Sequence, residues 1–260
     1  MDEHVRNELR KLVAVRQIYQ KSRIQTDNVL SLKADGTVQK KVNDNLSNDT
    51  IFNLVDVSHK ARELEVMCDK EIAKAIKGIP LWEKFLKGVK GVGPMATAVI
   101  LSEFDIEKAT TVSKLWQFAG LNPGRVQGRK YVDGVVVKSD DPDDYVRGDR
   151  QNKGYLNSFN SNLRCYLLGV LAPCMIKVKS PYTKYYYNMK ERLSNSSKPV
   201  NGDATRKWRD EPKMHIDKAA KRYMIKIFLQ DLYREWRTIE GLPVREPYQV
   251  EYLGHVHGEA

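Results

Sequence analysis

Apolar residues recur at helical spacing over three long stretches of the chain. In residues 3–32 they are Val5, Leu9, Leu12, Val13, Val15, Ile18 and Tyr19, then Ile24, Val29, Leu30 and Leu32, with charges on the opposite side. That pattern predicts a long amphipathic helix. Residues 33–48 are polar and carry an Asp35-Gly36 turn signal, which predicts a loop. Ser47 or Asn48 can cap a second helix from Thr50, whose stripe is Ile51, Leu54, Val55, Val57, Ala61, Leu64, Met67, Cys68, Ile72, Ala75 and Ile76. Gly78 and Pro80 stop it. Two long helices joined by a loop predict an antiparallel hairpin or a dimerising coiled coil, which hydrophobic spacing does not separate. The third stretch runs from about Met214 to Glu240. Its core face is Ala219, Ala220, Tyr223, Met224, Ile227, Phe228, Leu232 and Trp236, with Lys218, Lys221, Arg222 and Lys226 lining another face.

The segment 81–104 reads LWEKFLKGVKGVGPMATAVILSEF. Leu81, Phe85, Leu86 and Val89 run into Gly88, Gly91 and Gly93; Pro94 then opens a second apolar helix. The product is a helix-hairpin-helix. The amides of Gly91, Gly93 and Met95 would face outward at a positive helix N-terminus, a seat for phosphate, with Lys87 and Lys90 on the approach. Such a motif grips backbone without reading sequence. The bland alternative is a packed corner in which glycine permits close approach.

Residues 112–119 predict a short helix with Trp116 and Phe118 in the core, ended by Gly120. Two β-prone runs flank Asp133-Gly134, a strong hairpin signal over 130–138. The acidic stretch 139–144 (SDDPDD) reads as a solvated loop, although clustered aspartates can hold Mg²⁺. A helix is predicted from Tyr155 to Pro173, with Leu156, Phe159, Leu163, Leu167, Leu168, Val170 and Leu171 buried. Tyr182, Tyr185, Tyr186, Met189 and Leu193 form a helical stripe; the rival reading has these tyrosines stacking on bases. Residues 194–212 read as a basic loop, and the tail from Gly241 as surface chain. The terminal His255-x-His257 pair lacks carboxylate partners for a metal. The expected fold is mainly α: a helical hairpin or coiled coil at 1–78, a helical domain at 79–243 with the helix-hairpin-helix at 81–104 and one small β-hairpin, and a tail at 244–260.

Formal net charge is +11 over 260 residues. The excess is densest in 81–130, where eight Lys/Arg face four Asp/Glu. Such a balance points to nucleic acid, a membrane surface or an acidic partner. No apolar run reaches spanning length and no signal-peptide pattern opens the chain, so no membrane association is expected. Cys68, Cys165 and Cys174 make no zinc spacing; an odd number fits a reducing cytoplasm, with each cysteine a buried thiol.

The run Val89-Lys90-Gly91-Val92-Gly93-Pro94, then Leu101-Ser102-Glu103, then Leu115-Trp116-Gln117-Phe118-Ala119-Gly120-Leu121-Asn122-Pro123 resembles the C-terminal half of the DEDD-type transposases of the insertion-sequence one-ten family. Asn160-Ser161-Asn162-Leu163-Arg164 and the basic helix 219–232 also have counterparts there. The resemblance covers about residues 50–240 and is specific over 85–123. It implies DNA recombination guided by a structured RNA, a serine nucleophile, metal-binding carboxylates on a RuvC-like domain, and a mobile element of bacterial, archaeal or phage origin. The sequence opens on what looks like the family's coiled coil, so neither a RuvC-like sheet nor an acidic tetrad is expected among its 260 residues. Where the family has its serine, it reads Arg125-Val126-Gln127-Gly128-Arg129-Lys130. Ser139 is the next serine.

The expectation is therefore a protein that binds DNA or structured RNA through Lys87, Lys90, Gly91, Gly93, Arg125, Arg129, Lys130, Lys153 and Arg164, without a cofactor. Two alternatives stand beside it. One is a recombinase subunit using Ser139, Mg²⁺ and carboxylates from another chain. The other is an oligomeric structural protein, a homodimer through the N-terminal helices.

Overall fold

The computed structural model describes residues 2–33, 37–38, 46–139, 141–200 and 203–245. Most of the predicted 33–48 loop, including Asp35-Gly36, and the tail with His255 and His257 lie outside the described residues. The fold is mainly helical with small antiparallel ladders, as expected. It divides into two compact units: unit 1 is Met1–Trp82 with Pro94–Glu103, and unit 2 is Glu83–Gly93 with Phe104–Ala260.

Unit 1 holds α1 (Glu3–Val29) and α2 (Asn48–Ile76). Asp2 caps α1 through His4 N, and Ser47 caps α2 through Thr50 N. Side-chain pairs fix their sense as antiparallel: Arg16 with Asp69, Arg23 with Glu65, and Asp27 with Ser58. An intramolecular hairpin is thus present. The short helix α3 (Pro80–Lys84) follows α2 and begins in unit 1. α4 (Pro94–Glu103) completes the unit, with every residue from 96 to 102 buried and Arg10 Nη2 donating to Ser102 O at 2.8 Å.

The seam between α1 and α2 departs from the expected apolar stripe. Leu9, Val13, Leu30, Ala61, Ile72 and Ile76 are buried, but Ile18, Val57 and Met67 of the stripe are 64, 46 and 60 % exposed. A polar network holds the middle of the seam instead. Buried Glu65 accepts from Arg23 Nε at 2.6 Å and pairs with Arg16 Nη2 at 3.4 Å, and Arg23 reaches on to Asp27 at 3.2 Å.

In unit 2 the spine is α9 (Lys213–Ile239), which buries Ile216, Ala220, Met224, Phe228, Leu232 and Trp236. α8 (Thr183–Ser194) runs antiparallel to it: Tyr182 Oη donates to Asp231 at 2.8 Å and Tyr186 Oη to Asp217 at 2.7 Å. Both tyrosines are buried, and Tyr182 meets Phe228 edge-on at 5.5 Å, so their stripe packs as a helix face. Buried Arg237 donates to the carbonyls of Ile106, Ala109 and Pro243. α5 (Val112–Phe118) packs on the same spine through Trp116 Nε1, which donates to Lys226 O at 3.0 Å.

Several expectations are corrected. The helix predicted from Tyr155 begins at Ser161, because the Asn160 side chain caps it by accepting from Leu163 N at 3.0 Å. It does not end at Pro173. α6 (Ser161–Tyr166) passes through a π turn (Leu167–Leu171) into α7 (Ala172–Lys177), and the wider turn absorbs the proline's missing donor. Phe118 is 41 % exposed, not core. Cys165 and Cys174 are exposed and Cys68 half-buried. The predicted hairpin forms as β2 (Arg129–Val132) and β3 (Val135–Lys138), joined by Asp133 and Gly134 at φ 50° and 79°. Two more ladders accompany it: β1 (Arg125–Gln127) with β4 (Tyr145–Arg147), and β5 (Pro199–Val200) with β6 (Asp203–Lys207), the latter inside the expected loop.

Removing the carboxylate from the α1–α2 seam leaves two guanidiniums without their shared partner. Glu65→Ala is expected to lower the unfolding free energy by about 2–4 kcal/mol in a denaturant titration; a loss under about 0.5 kcal/mol would show that the network contributes nothing.

Candidate functional site

The glycine hairpin is split by the unit division at Gly93–Pro94. On the unit 2 side, Leu86–Gly88 is a 3₁₀ turn and Val92 N donates to Val89 O at 3.0 Å. Gly91 sits at φ +93°, and a Cβ there would stand 2.8 Å from Met175 Cα on α7. This glycine is therefore demanded by close packing as well as by its backbone conformation. Gly93 is exposed and faces open space. Lys87 pairs with Glu83 at 3.0 Å; Lys90 is exposed.

The other sequence-selected cations lie in unit 2 with different degrees of freedom. Lys153 and Arg125 are exposed. Arg129 Nη2 donates to Asn157 O at 2.7 Å. Arg164 donates to Gly120 O and lies over the Phe159 ring at 5.3 Å. Lys130 lies 3.3 Å from Asp144 Oδ2 and over the Tyr155 ring at 4.4 Å.

Ser139 belongs to that last group. Its Oγ accepts from Asp141 N at 3.3 Å, and hydrogen bonds from Ser139, Tyr155 and Lys130 hold the Asp144 carboxyl down at about 2. A carboxylate so stabilised is a weak base for activating a hydroxyl. The group staples the β1–β4 ladder to the β2–β3 ladder. Among the described residues no three His, Cys, Asp or Glu side chains gather as a metal site.

A buried carboxylate in unit 2, Asp149, is held by two guanidiniums. Asp149 is 3 % exposed. Its oxygens accept Arg147 Nε and Nη2, both at 3.0 Å, and Arg222 Nη1 at 3.2 Å. Arg222 Nε is buried without a hydrogen-bond partner. Burial and then Arg222 push the Arg164 pKa down, and the same two causes bring the Lys226 ammonium down to about 8. Lys226 lies 4.2 Å over the Trp116 ring and makes no ion pair among the described residues. Lys218, Arg222 and Lys226 follow one another at intervals of four and share one face of α9. Arg147, Lys218 and Arg222 line an open cleft of about 400 Å³ together with Arg206, Trp208 and His215. Within it Glu211 is already engaged by Arg206 and His215.

Register adds a second observation. Arg125 stands directly opposite Arg147 across the β1–β4 ladder, and Arg129 opposite Lys138 across β2–β3. Like charges facing each other on a ladder destabilise it, a cost that a bound anion removes. In the sequence this cluster is marked by Arg164, in the segment that resembles the transposases, and by the four-residue periodicity on α9. Asp149 and Arg147 carried no local pattern.

Comparison with protein-family models, with curated proteins and with solved structures finds no match.

One pair of substitutions tests the packing and a single substitution tests the charge. Gly91→Ala is expected to cost about 2–4 kcal/mol of stability, from positive φ and overlap with Met175, whereas Gly93→Ala stays within about 0.5 kcal/mol; equal effects in thermal denaturation would refute the packing role. Charged Lys226 opposes folding below its lowered pKa, so its penalty is present at pH 7 and disappears as pH rises past about 10, where the unfolded chain also loses the proton. Lys226→Met should therefore raise stability by about 1–2 kcal/mol at pH 7, with the gain shrinking between pH 8 and 10; a gain independent of pH would reject the charge argument.

Proposed function

We propose that unit 2 binds the sugar-phosphate backbone of DNA or structured RNA, with the face bearing Arg147, Lys218, Arg222 and Lys226 as its main contact. The observation that carries this reading is the charge imbalance around Arg222: Asp149 pairs with Arg147 and Arg222, while Arg164 and Lys226, both depressed by burial and by Arg222, have no ion pair among the described residues. Desolvated cations without counter-charge gain most when a polyanion arrives. Lys90, Arg125 and Lys153 are exposed cations of the same unit and extend the contact. Phosphate contacts of this kind set affinity and register without selecting sequence.

The resemblance to transposase C-terminal halves supports the same class of ligand. A serine-dependent recombinase subunit is a further proposal on the same resemblance, with Ser139 as nucleophile and carboxylates from another chain. The low basicity of Asp144 weighs toward binding over phosphodiester chemistry at that serine. A homodimer through the N-terminal helices is proposed only as an accessory, since exposed Ile18, Phe52 and Met67 leave apolar surface on unit 1. No helix among the described residues is long and apolar enough to cross a membrane.

Gel-shift titrations over a range of salt test the reading. With about three phosphates neutralised, log K against log salt should fall with a slope near −3, and Lys218→Ala or Arg222→Ala should each lower the slope by about one. Binding that ignores salt, or no binding to either duplex DNA or hairpin RNA, would overturn it.

A further inference from the structure

The β2–β3 ribbon carries apolar side chains that its own unit leaves uncovered. Tyr131, Val132, Val135, Val136 and Val137 are 65, 51, 64, 46 and 45 % exposed. The register sorts them onto two faces. On one face Arg129 is opposite Lys138 and Tyr131 opposite Val136; on the other Lys130 is opposite Val137 and Val132 opposite Val135. Each face is cationic at the base and apolar toward the turn. Asp133 and Gly134, both at positive φ, close the ribbon with the tightest connection available to a hairpin, so its tip is only two strands wide. At the base, Arg129 and Lys138 share a cleft of about 270 Å³ with Gln117, Gln127 and Ser158. Neither cation makes an ion pair among the described residues. Lys130 ties the ribbon to the unit through Asp144.

Resting on the backbone-binding reading above, we infer that this ribbon is a wedge for a nucleic-acid duplex: a phosphate seats between Arg129 and Lys138, and the Val132–Val135 pair beneath the Asp133-Gly134 turn presses against an opened base step. Three physical arguments favour that occupant. A two-stranded ribbon fits a groove of the double helix. Apolar side chains entering between base pairs unstack them, while nearby cations hold the displaced backbone. The facing Arg129 and Lys138 are relieved of their mutual repulsion by an anion placed between them. A second copy of the chain fits poorly, because short strands with cations at the base repel edge-to-edge pairing. A lipid surface would meet the same order of charge and apolarity, but the ribbon offers no Trp, Phe or Leu to bury in it.

The test uses the full chain and a short DNA duplex carrying 2-aminopurine at a flexible pyrimidine–purine step. The wild-type protein should raise the probe fluorescence severalfold on binding. The double substitution Val132→Thr with Val135→Thr keeps β-branched shape and should abolish that rise. It should weaken affinity by about tenfold and leave the salt slope unchanged. Lys138→Ala should instead lower the salt slope by about one. If the wild type binds with the expected salt slope but the fluorescence stays flat, or the threonine pair keeps the signal, the wedge is overturned while backbone binding stands. If no duplex or hairpin RNA binds at all, backbone binding itself fails and takes the wedge with it. If phosphatidylglycerol vesicles sediment the wild type but not the threonine pair, and duplex binding is the same for both, the ribbon is a lipid contact and the inference is wrong.

Discussion

A positive charge taken out of water must meet a negative one, and unit 2 places several beside Asp149. That carboxylate pairs with Arg147 and Arg222 and leaves Arg164 and Lys226, both near Arg222, without an ion pair among the described residues. The structure manages the remainder by other means: Arg164 spends its guanidinium on the Gly120 carbonyl and the Phe159 face, and Lys226 rests on the indole of Trp116. These contacts lessen the desolvation penalty without cancelling the charge. The spine helix α9 therefore does two jobs that oppose each other. Its apolar face, from Ile216 to Trp236, organises the core, and its cationic face carries stress that an incoming anion would relieve.

The same logic extends to the ladders. Arg125 faces Arg147 and Arg129 faces Lys138, so two separate sheets each accept a repulsive cross-strand pair. Neighbouring positions compensate locally. Val126 faces Val146, and Tyr155, Lys130, Ser139 and Asp144 lock the two ladders together. A sheet selected for stability alone would place a carboxylate at one member of each pair.

Much of the architecture was legible in the pattern of residues, and the reasons for the misses are physical. The long helices are legible because α1, α2 and α9 repeat apolar positions over many turns, and α1 and α2 also carry side-chain caps at Asp2 and Ser47. The Asp133-Gly134 hairpin was equally plain, since few dipeptides accept two consecutive positive φ values. Pro173 misled because the π turn before it removes the usual conflict between proline and a helix. Residues 155–160 misled because apolar spacing persists upstream of the Asn160 cap. In unit 1 the apolar stripe was real, but Glu65 with Arg16 and Arg23 displaced part of it from the seam. At Gly91 the turn's need for glycine is legible in the sequence, whereas the close approach that the packed-corner alternative requires is made by Met175, 84 positions later in the chain, which local spacing cannot show. The Arg222–Asp149 contact joins segments separated by 73 positions, and apart from Arg164 its only trace in the sequence is the Lys218, Arg222, Lys226 periodicity.

The division of the chain at 82–83, 93–94 and 103–104 has an architectural corollary. The N-terminal helices are finished by a helix that arrives only after eleven residues have been lent to the other body, Glu83–Gly93. Neither body is an uninterrupted cassette. Excising the first 82 residues would strip α1 and α2 of the most thoroughly buried helix in their core, and starting a fragment at residue 94 would carry that helix away from its partners. Cutting the chain at any single one of these points would thus leave at least one body incomplete.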